Sequence, residues 1–114
     1  MATKLSTMDN ISIAILEPRG SLIGNSETDE LKAKAIDLLE QGNRKLIIDL
    51  SGVSYLNSTG IGALVHIHTM YLNKQGKVKL CQLGKSVENV FVITRLMSML
   101  DVEETRESAI KNFR

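Results

Sequence analysis

The run Asn57-Ser58-Thr59-Gly60-Ile61-Gly62 sets three polar side chains in a row directly ahead of the apolar stretch Ala63-Leu64-Val65-His66-Ile67. At a helix start, an Asn, Ser or Thr oxygen accepts a hydrogen bond from an otherwise unpaired amide, a contribution of about 1 kcal/mol. One such cap accounts for one of the three polar groups. The small residues that follow leave the helix start unshielded, where free N–H groups and the positive end of the helix dipole favour a phosphate. The run therefore fits either a helix cap or a hydroxyl suited to phosphorylation at Ser58, with Thr59 as a second acceptor.

Other fragments begin enzyme signatures without completing them. Gly84-Lys85-Ser86 ends like a phosphate-binding loop, but the glycine required five residues before Gly84 is Lys79. Gly60-Ile61-Gly62 opens like a dinucleotide fingerprint, yet Val65 stands at the third glycine position, and helix packing explains both glycines equally well. Ser58 precedes a helix as hydrolase nucleophiles do, with Leu56 where the elbow glycine belongs. His66 and His68 are two apart on a helix, about 200° around its axis, and cannot close on one metal from one face. His68 is expected at the core edge, with His66 pointing elsewhere. The sequons Asn10-Ile11-Ser12 and Asn57-Ser58-Thr59 read as turn and cap chemistry. No catalytic residues, no metal site and no cofactor are expected.

Composition narrows the classes further. The 114 residues are 43% hydrophobic and 24% charged, enough for one domain, 1–114, with a substantial core. Fourteen Lys and Arg against thirteen Asp and Glu leave +1, a field too weak to draw in a nucleic acid backbone. Four aromatic residues offer few platforms for stacking bases. The lone Cys81 can form neither an internal disulfide nor a cysteine zinc site, and reads as a buried strand thiol. No stretch approaches the roughly 18 apolar residues of a membrane span, and the N-terminus lacks a signal-like run. A cytoplasmic protein without membrane insertion, monomeric when free, is expected.

The elements that must position the run follow from periodicity. Residues 4–8 and 11–17 alternate as two strands joined at Asp9-Asn10. Ser26 is expected to cap a helix that carries Leu31, Ala35, Leu38 and Leu39 and stops at Gln41-Gly42-Asn43. Lys45–Leu50 reads as a central strand, and residues 51–57 as a connection. Ser58 begins a helix of about four turns, residues 77–81 form a strand, and Ser86 caps a helix to about Ile93. A strand at 100–102 and a polar terminal helix complete the order ββαβαβαβα. The fold class is α/β: one mixed, mostly parallel sheet with an N-terminal hairpin edge, right-handed crossovers and about four helices.

On the helix after Ser58, a 100° step places Ile61, Leu64, Val65, His68, Tyr71 and Leu72 on one face, the expected core side. Ala63, Ile67 and Met70, flanked by His66, fall on the other. They form either a docking surface for a protein partner or a face covered by the helix at 26–40.

Together these features resemble a bacterial family, the single-domain anti-sigma-factor antagonists with the STAS fold. Leu46–Val53 followed by Tyr55–Leu64 is similar to the family's central strand, loop and Asp-Ser-Ser/Thr-Gly phosphorylation motif, and Gln75-Gly76-Lys77, Val87, Phe91 and Leu96 also resemble family positions. The resemblance implies partner switching. The unphosphorylated protein binds an anti-sigma factor that is also a serine kinase of the histidine-kinase-like ATPase type, which frees a sigma factor. The kinase phosphorylates Ser58, and a PP2C-type phosphatase reverses it. The implied partner surface is Ile23, Asn25, Asn57, Ser58, Thr59, Gly60, Ala63, His66, Ile67 and Met70, with repulsion from nearby Asp49 expected to help expel the phosphorylated form. Three positions differ from the family pattern: Asn57 stands for the motif aspartate, Ile23 for an acidic residue and Arg95 for a turn glycine. An adaptor subunit of a transporter or stress-signalling assembly, without phosphorylation, is the alternative that these differences raise.

Overall fold

Hydrophobic residues on successive strand positions point to opposite faces, and here both faces of the sheet are buried. The computed structural model describes residues 3–8 and 12–113, without the side chains of Thr7 and Met8. Five strands form the main sheet in the order β1-β2-β4-β6-β7: β1 (Lys4–Met8), β2 (Ile13–Glu17), β4 (Lys45–Asp49), β6 (Lys77–Cys81) and β7 (Asp101–Glu103). β1 runs antiparallel to β2 with Leu5 opposite Leu16, and every other pairing is parallel. The opening hairpin edge is present, while its expected Asp9-Asn10 turn and Ile11 lie outside the described residues.

One sheet face presents Ala14, Leu16, Leu46, Ile48, Val78 and Leu80 to α1 (Ser26–Glu40), α2 (Ser58–Asn73), α3 (Lys85–Ile93) and the single turn α4 (Leu96–Met99). The opposite face, with Ile13, Ile15, Ile47 and Cys81, is covered by Ala109 of α5 (Arg106–Lys111), with Ile110 and Phe113 packed alongside. Arg106 fastens that helix: its Nη2 donates to Asp49 Oδ2 at 2.8 Å and Glu17 Oε1 at 2.7 Å, and its Nε to Asp49 Oδ2 at 3.0 Å. Lys79, also buried on this side, is satisfied by Asp101 at 2.8 Å and Glu103 at 3.2 Å. Burial, with Asp49 close by, pushes the Cys81 thiol up to about 12, so this strand cysteine is an inert packing group.

Three elements, β3 (Gly20–Leu22), β5 (Val53–Leu56) and α4, exceed the expected order. The segment 51–57 contains β5, which pairs in parallel with β3 as a separate two-stranded ladder, Leu22 beside Leu56. The helix around residue 90 breaks at Arg95, giving five helices. Two caps also move. Asn25 caps α1, accepting from Thr28 N–H and the Thr28 hydroxyl, while Ser26 is already helical. Gly84, without a side-chain bond, precedes α3, and Ser86 lies inside it.

Arg95 itself adopts the left-handed conformation, φ 63°, between α3 and α4. An L side chain there costs roughly 1 kcal/mol or more that glycine avoids, which gives physical sense to the glycine of the resembling family. Arg95→Gly is expected to stabilise the fold by about 1 kcal/mol, seen as a higher midpoint in urea unfolding; an unchanged midpoint would remove the strain argument.

Candidate functional site

The end of β3 and the start of α2 are locked together at Asn57. Its backbone N–H donates to Leu22 O at 3.3 Å, and its carbonyl accepts the first helical bond, from Ile61 N–H at 2.9 Å. Its Oδ1 accepts from Gly60 N–H at 3.1 Å and its Nδ2 donates to Ile23 O at 3.4 Å. The cap is therefore Asn57, not a hydroxyl. An aspartate could repeat the cap but has no hydrogen to offer Ile23.

With Asn57 as cap, the hydroxyls are left over. Ser58 and Thr59 are exposed, and among the described residues no side-chain hydrogen bond engages Ser58. Their amides precede the first intrahelical bond and point out of the helix end. α1, α3 and α5 each carry an acidic residue in the first turn; α2 carries none. The positive end of the longest helix is thus left without a compensating carboxylate beside an open serine. That is the electrostatic setting in which a phosphate on Ser58 is most easily held.

Two large side chains at the ends of β3 and β5 are open on the surface. Ile23 is 41% exposed and Tyr55 54% exposed, large values for apolar and aromatic side chains. Tyr55 sits opposite Ser21 in the β3-β5 ladder, so the ladder that holds Ile23 also presents the tyrosine. Sequence reading leaves Tyr55 out of the partner surface because the segment reads as a connection. Its signal is the spacing of inward Val53 and Leu56, which turns Ser54 and Tyr55 outward.

Several expected surface residues are elsewhere. Ala63 is 5% exposed and Ile67 fully buried, so neither is open to a partner. The buried face of α2 is Gly60, Ala63, Leu64, Ile67 and Tyr71, because α1 covers the second side: of the two alternatives for that face, cover by the helix at 26–40 is the one present. Leu72, expected in the core, is 51% exposed. Met70 is half-buried and lines a cleft of about 500 Å³ with Ile36, Leu39 and Arg44 between the ends of α1 and α2. Twelve residues separate it from Ser58, about 18 Å along the helix. Asn25, the α1 cap, is half-buried like the α2 cap Asn57, and Gly60 is buried. His66 is exposed, as expected, and His68 is half-buried with Nδ1 turned inward. Asp49 is 3% exposed and neutralised by Arg106, so it is no source of repulsion toward a phosphate. Asn25, Asn57, Ser58, Thr59, Ile23 and His66 thus remain accessible, joined by Tyr55. Among the described residues no group of three His, Cys, Asp or Glu side chains could hold a metal, and no helix is long and apolar enough to cross a membrane.

The family described as the STAS domain matches residues 4–109. The anti-sigma-B factor antagonist of Bacillus subtilis is 35% identical over 81 residues, which are 71% of this chain and 73% of that protein. The crystal structure of TM1081 from Thermotoga maritima superposes with a TM-score of 0.87 at 23% identity, covering 96% of this chain and 92% of that one. The Bacillus cell fate determinant SpoIIAA in its phosphorylated form gives 0.76 at 20% identity, over 99% of this chain and 100% of that one.

Gly60 is the contact on which this geometry turns. A methyl group added there would collide with the Leu22 carbonyl oxygen and lie 3.0 Å from Leu22 Cβ. Gly60→Ala is expected to destabilise the fold by about 2 kcal/mol, since neither backbone can yield without moving the other element. Urea unfolding checks this, and an unchanged midpoint would show that β3 is free to retreat.

Proposed function

The chain belongs to the STAS-domain family, and from that membership we propose that it is an anti-sigma factor antagonist acting by partner switching. In its unmodified form it captures an anti-sigma factor that is also a serine kinase of the histidine-kinase-like ATPase type, and a sigma factor is released. The kinase transfers phosphate to Ser58, which ends the capture, and a PP2C-type phosphatase restores the hydroxyl. ATP and metal belong to those enzymes. Thr59, one residue on, is the secondary acceptor.

The observation that carries this reading is the exposed Ser58 hydroxyl, unengaged by side chains, at a helix N-terminus with no first-turn carboxylate. The relative at 35% identity is an anti-sigma-B factor antagonist, which supports the partner class. A phosphoserine adds about −1.5 to −2 charge. Free in solution, that charge is favoured by the α2 dipole. Inside an interface made by Ile23, Tyr55 and the start of α2, it must be desolvated, and each 1.4 kcal/mol of penalty lowers affinity tenfold. A local change is enough for this, and both the unphosphorylated and the phosphorylated form of SpoIIAA share the fold of this chain, TM-score 0.76 for each.

Incubation with ATP and a histidine-kinase-like serine kinase that binds this chain is expected to place phosphate on Ser58, mapped by mass spectrometry. Ser58→Asp should weaken binding to that kinase at least about a hundredfold by calorimetry while raising Tm slightly, because a carboxylate at the first helical position complements the dipole. Ser58→Ala should bind as the wild type does. Absence of phosphate from both Ser58 and Thr59, with a transporter subunit recovered in place of a kinase, would replace the switch by the adaptor reading.

A further inference from the structure

Two glycines of α2 look alike in sequence and are opposite in the structure. Gly60 is dictated by the fold, because the Leu22 carbonyl occupies the place of its side chain. Gly62 has no such reason. A Cβ built on it meets nothing within 4 Å, and its backbone is ordinary right-handed helix, outside the positive-φ glycines Gly20, Gly24 and Gly42. Glycine is among the poorest formers of a helix interior, and alanine at this position would rigidify the backbone at no steric cost. Within the monomer, then, Gly62 is a liability with no compensating contact.

Its position says what compensates. Gly62 lies one turn beyond Ser58 and one turn before His66, on the exposed side of α2. The helix Ser58–Asn73 contains no Asp, Glu, Lys or Arg, so a partner approaching this stripe meets backbone, hydroxyl and imidazole groups and no fixed charge. An absent side chain on a neutral helical face lets another backbone come close, the common reason for glycine at a contact. Resting on the partner-switching reading, we infer that Gly62 is a specificity-determining residue of the kinase interface: the kinase packs a segment of its own chain directly onto the α2 backbone at Gly62. That seating brings the partner within one turn of the Ser58 hydroxyl. It selects a partner with a close-fitting uncharged segment there and rejects one that presents a bulky or charged side chain.

The test compares the wild type with Gly62→Ala and Gly62→Leu, using the kinase that modifies Ser58 as the probe. Thermal unfolding of both variants should show Tm equal to or a few degrees above wild type, and calorimetry should show binding weakened about tenfold by Ala and further by Leu. A lowered Tm would mean that the fold itself requires the glycine, and wild-type affinity in both variants would mean that nothing packs there. Either result overturns this inference while leaving the Ser58 switch standing. Failure of the wild-type chain to bind or be modified by any such kinase is the separate outcome that removes the partner-switching reading, and this inference with it.

Discussion

The contact of Leu22 with the first turn of α2 is the constraint from which the rest of the site follows. One carbonyl oxygen does two things: it accepts from Asn57 N–H at 3.3 Å, and it fills the space where Gly60 has no side chain. These fix the distance and the angle between the short β3-β5 ladder and α2. Because the helix start is set by the ladder, Ile23 and Tyr55 are held at the same helix end as Ser58 by backbone packing, with the Asn57 amide reaching across to the Ile23 carbonyl. The hydroxyl is left free because the cap is made by its neighbour.

The main sheet supplies the rigidity behind this contact. On one face, Leu64, Ile67 and Tyr71 of α2 enter the same core as Leu46, Ile48 and Leu80. Tyr71 is wholly buried and its hydroxyl donates to Asn43 Oδ1 at 2.8 Å, tying the far end of α2 to the connection before β4. On the other face, Arg106 joins α5 to β2 and β4 through Glu17 and Asp49. The ion pairs of Arg106 and Lys79 thus lie on the side of the sheet away from α2. The buried ion pairs are structural, and the α2 surface is left neutral.

Legibility in the sequence followed the strength of the local pattern. Alternating Ile13 and Ile15, the continuous run Leu46-Ile47-Ile48 and the helical repeats gave the α/β class, the hairpin edge and the parallel order, because period 2 and period 3.6 are imposed by the backbone itself. β3 and β5 are hidden because three or four residues repeat a period of 2 at most twice, the burial of β5 does not alternate, and their pairing is decided by distant partners. The buried face of α2 is rotated about a quarter of a turn from the face that periodicity picks out. A helix packed on both a sheet and α1 buries a wide arc, so Ala63 and Ile67 are as deep as Leu64, and hydropathy alone cannot say which edge of that arc a neighbour covers. Ser58 was recognisable from its residue type and setting. That Asn57 is the cap, and hence that Ser58 is free, depends on the exit direction of the chain from β5, which no short motif encodes.

Near-neutrality overall and neutrality along α2 have different consequences. The formal charge of +1 means that one phosphate reverses the sign of the whole molecule, but at an ionic strength near 0.1 M charges more than about 10 Å apart are largely screened. The global sign therefore matters little to a bound partner. Local neutrality matters more, since a surface without Asp, Glu, Lys or Arg has no ion pairs to rearrange and no counter-charge to absorb a new anion on docking. In the free protein such an anion is stabilised by the helix end, which water also reaches. A partner that excludes that water removes solvation without replacing it. In the partner-switching reading, discrimination between the two forms then comes from desolvation of one group at one helix terminus, and the fold contributes by staying the same.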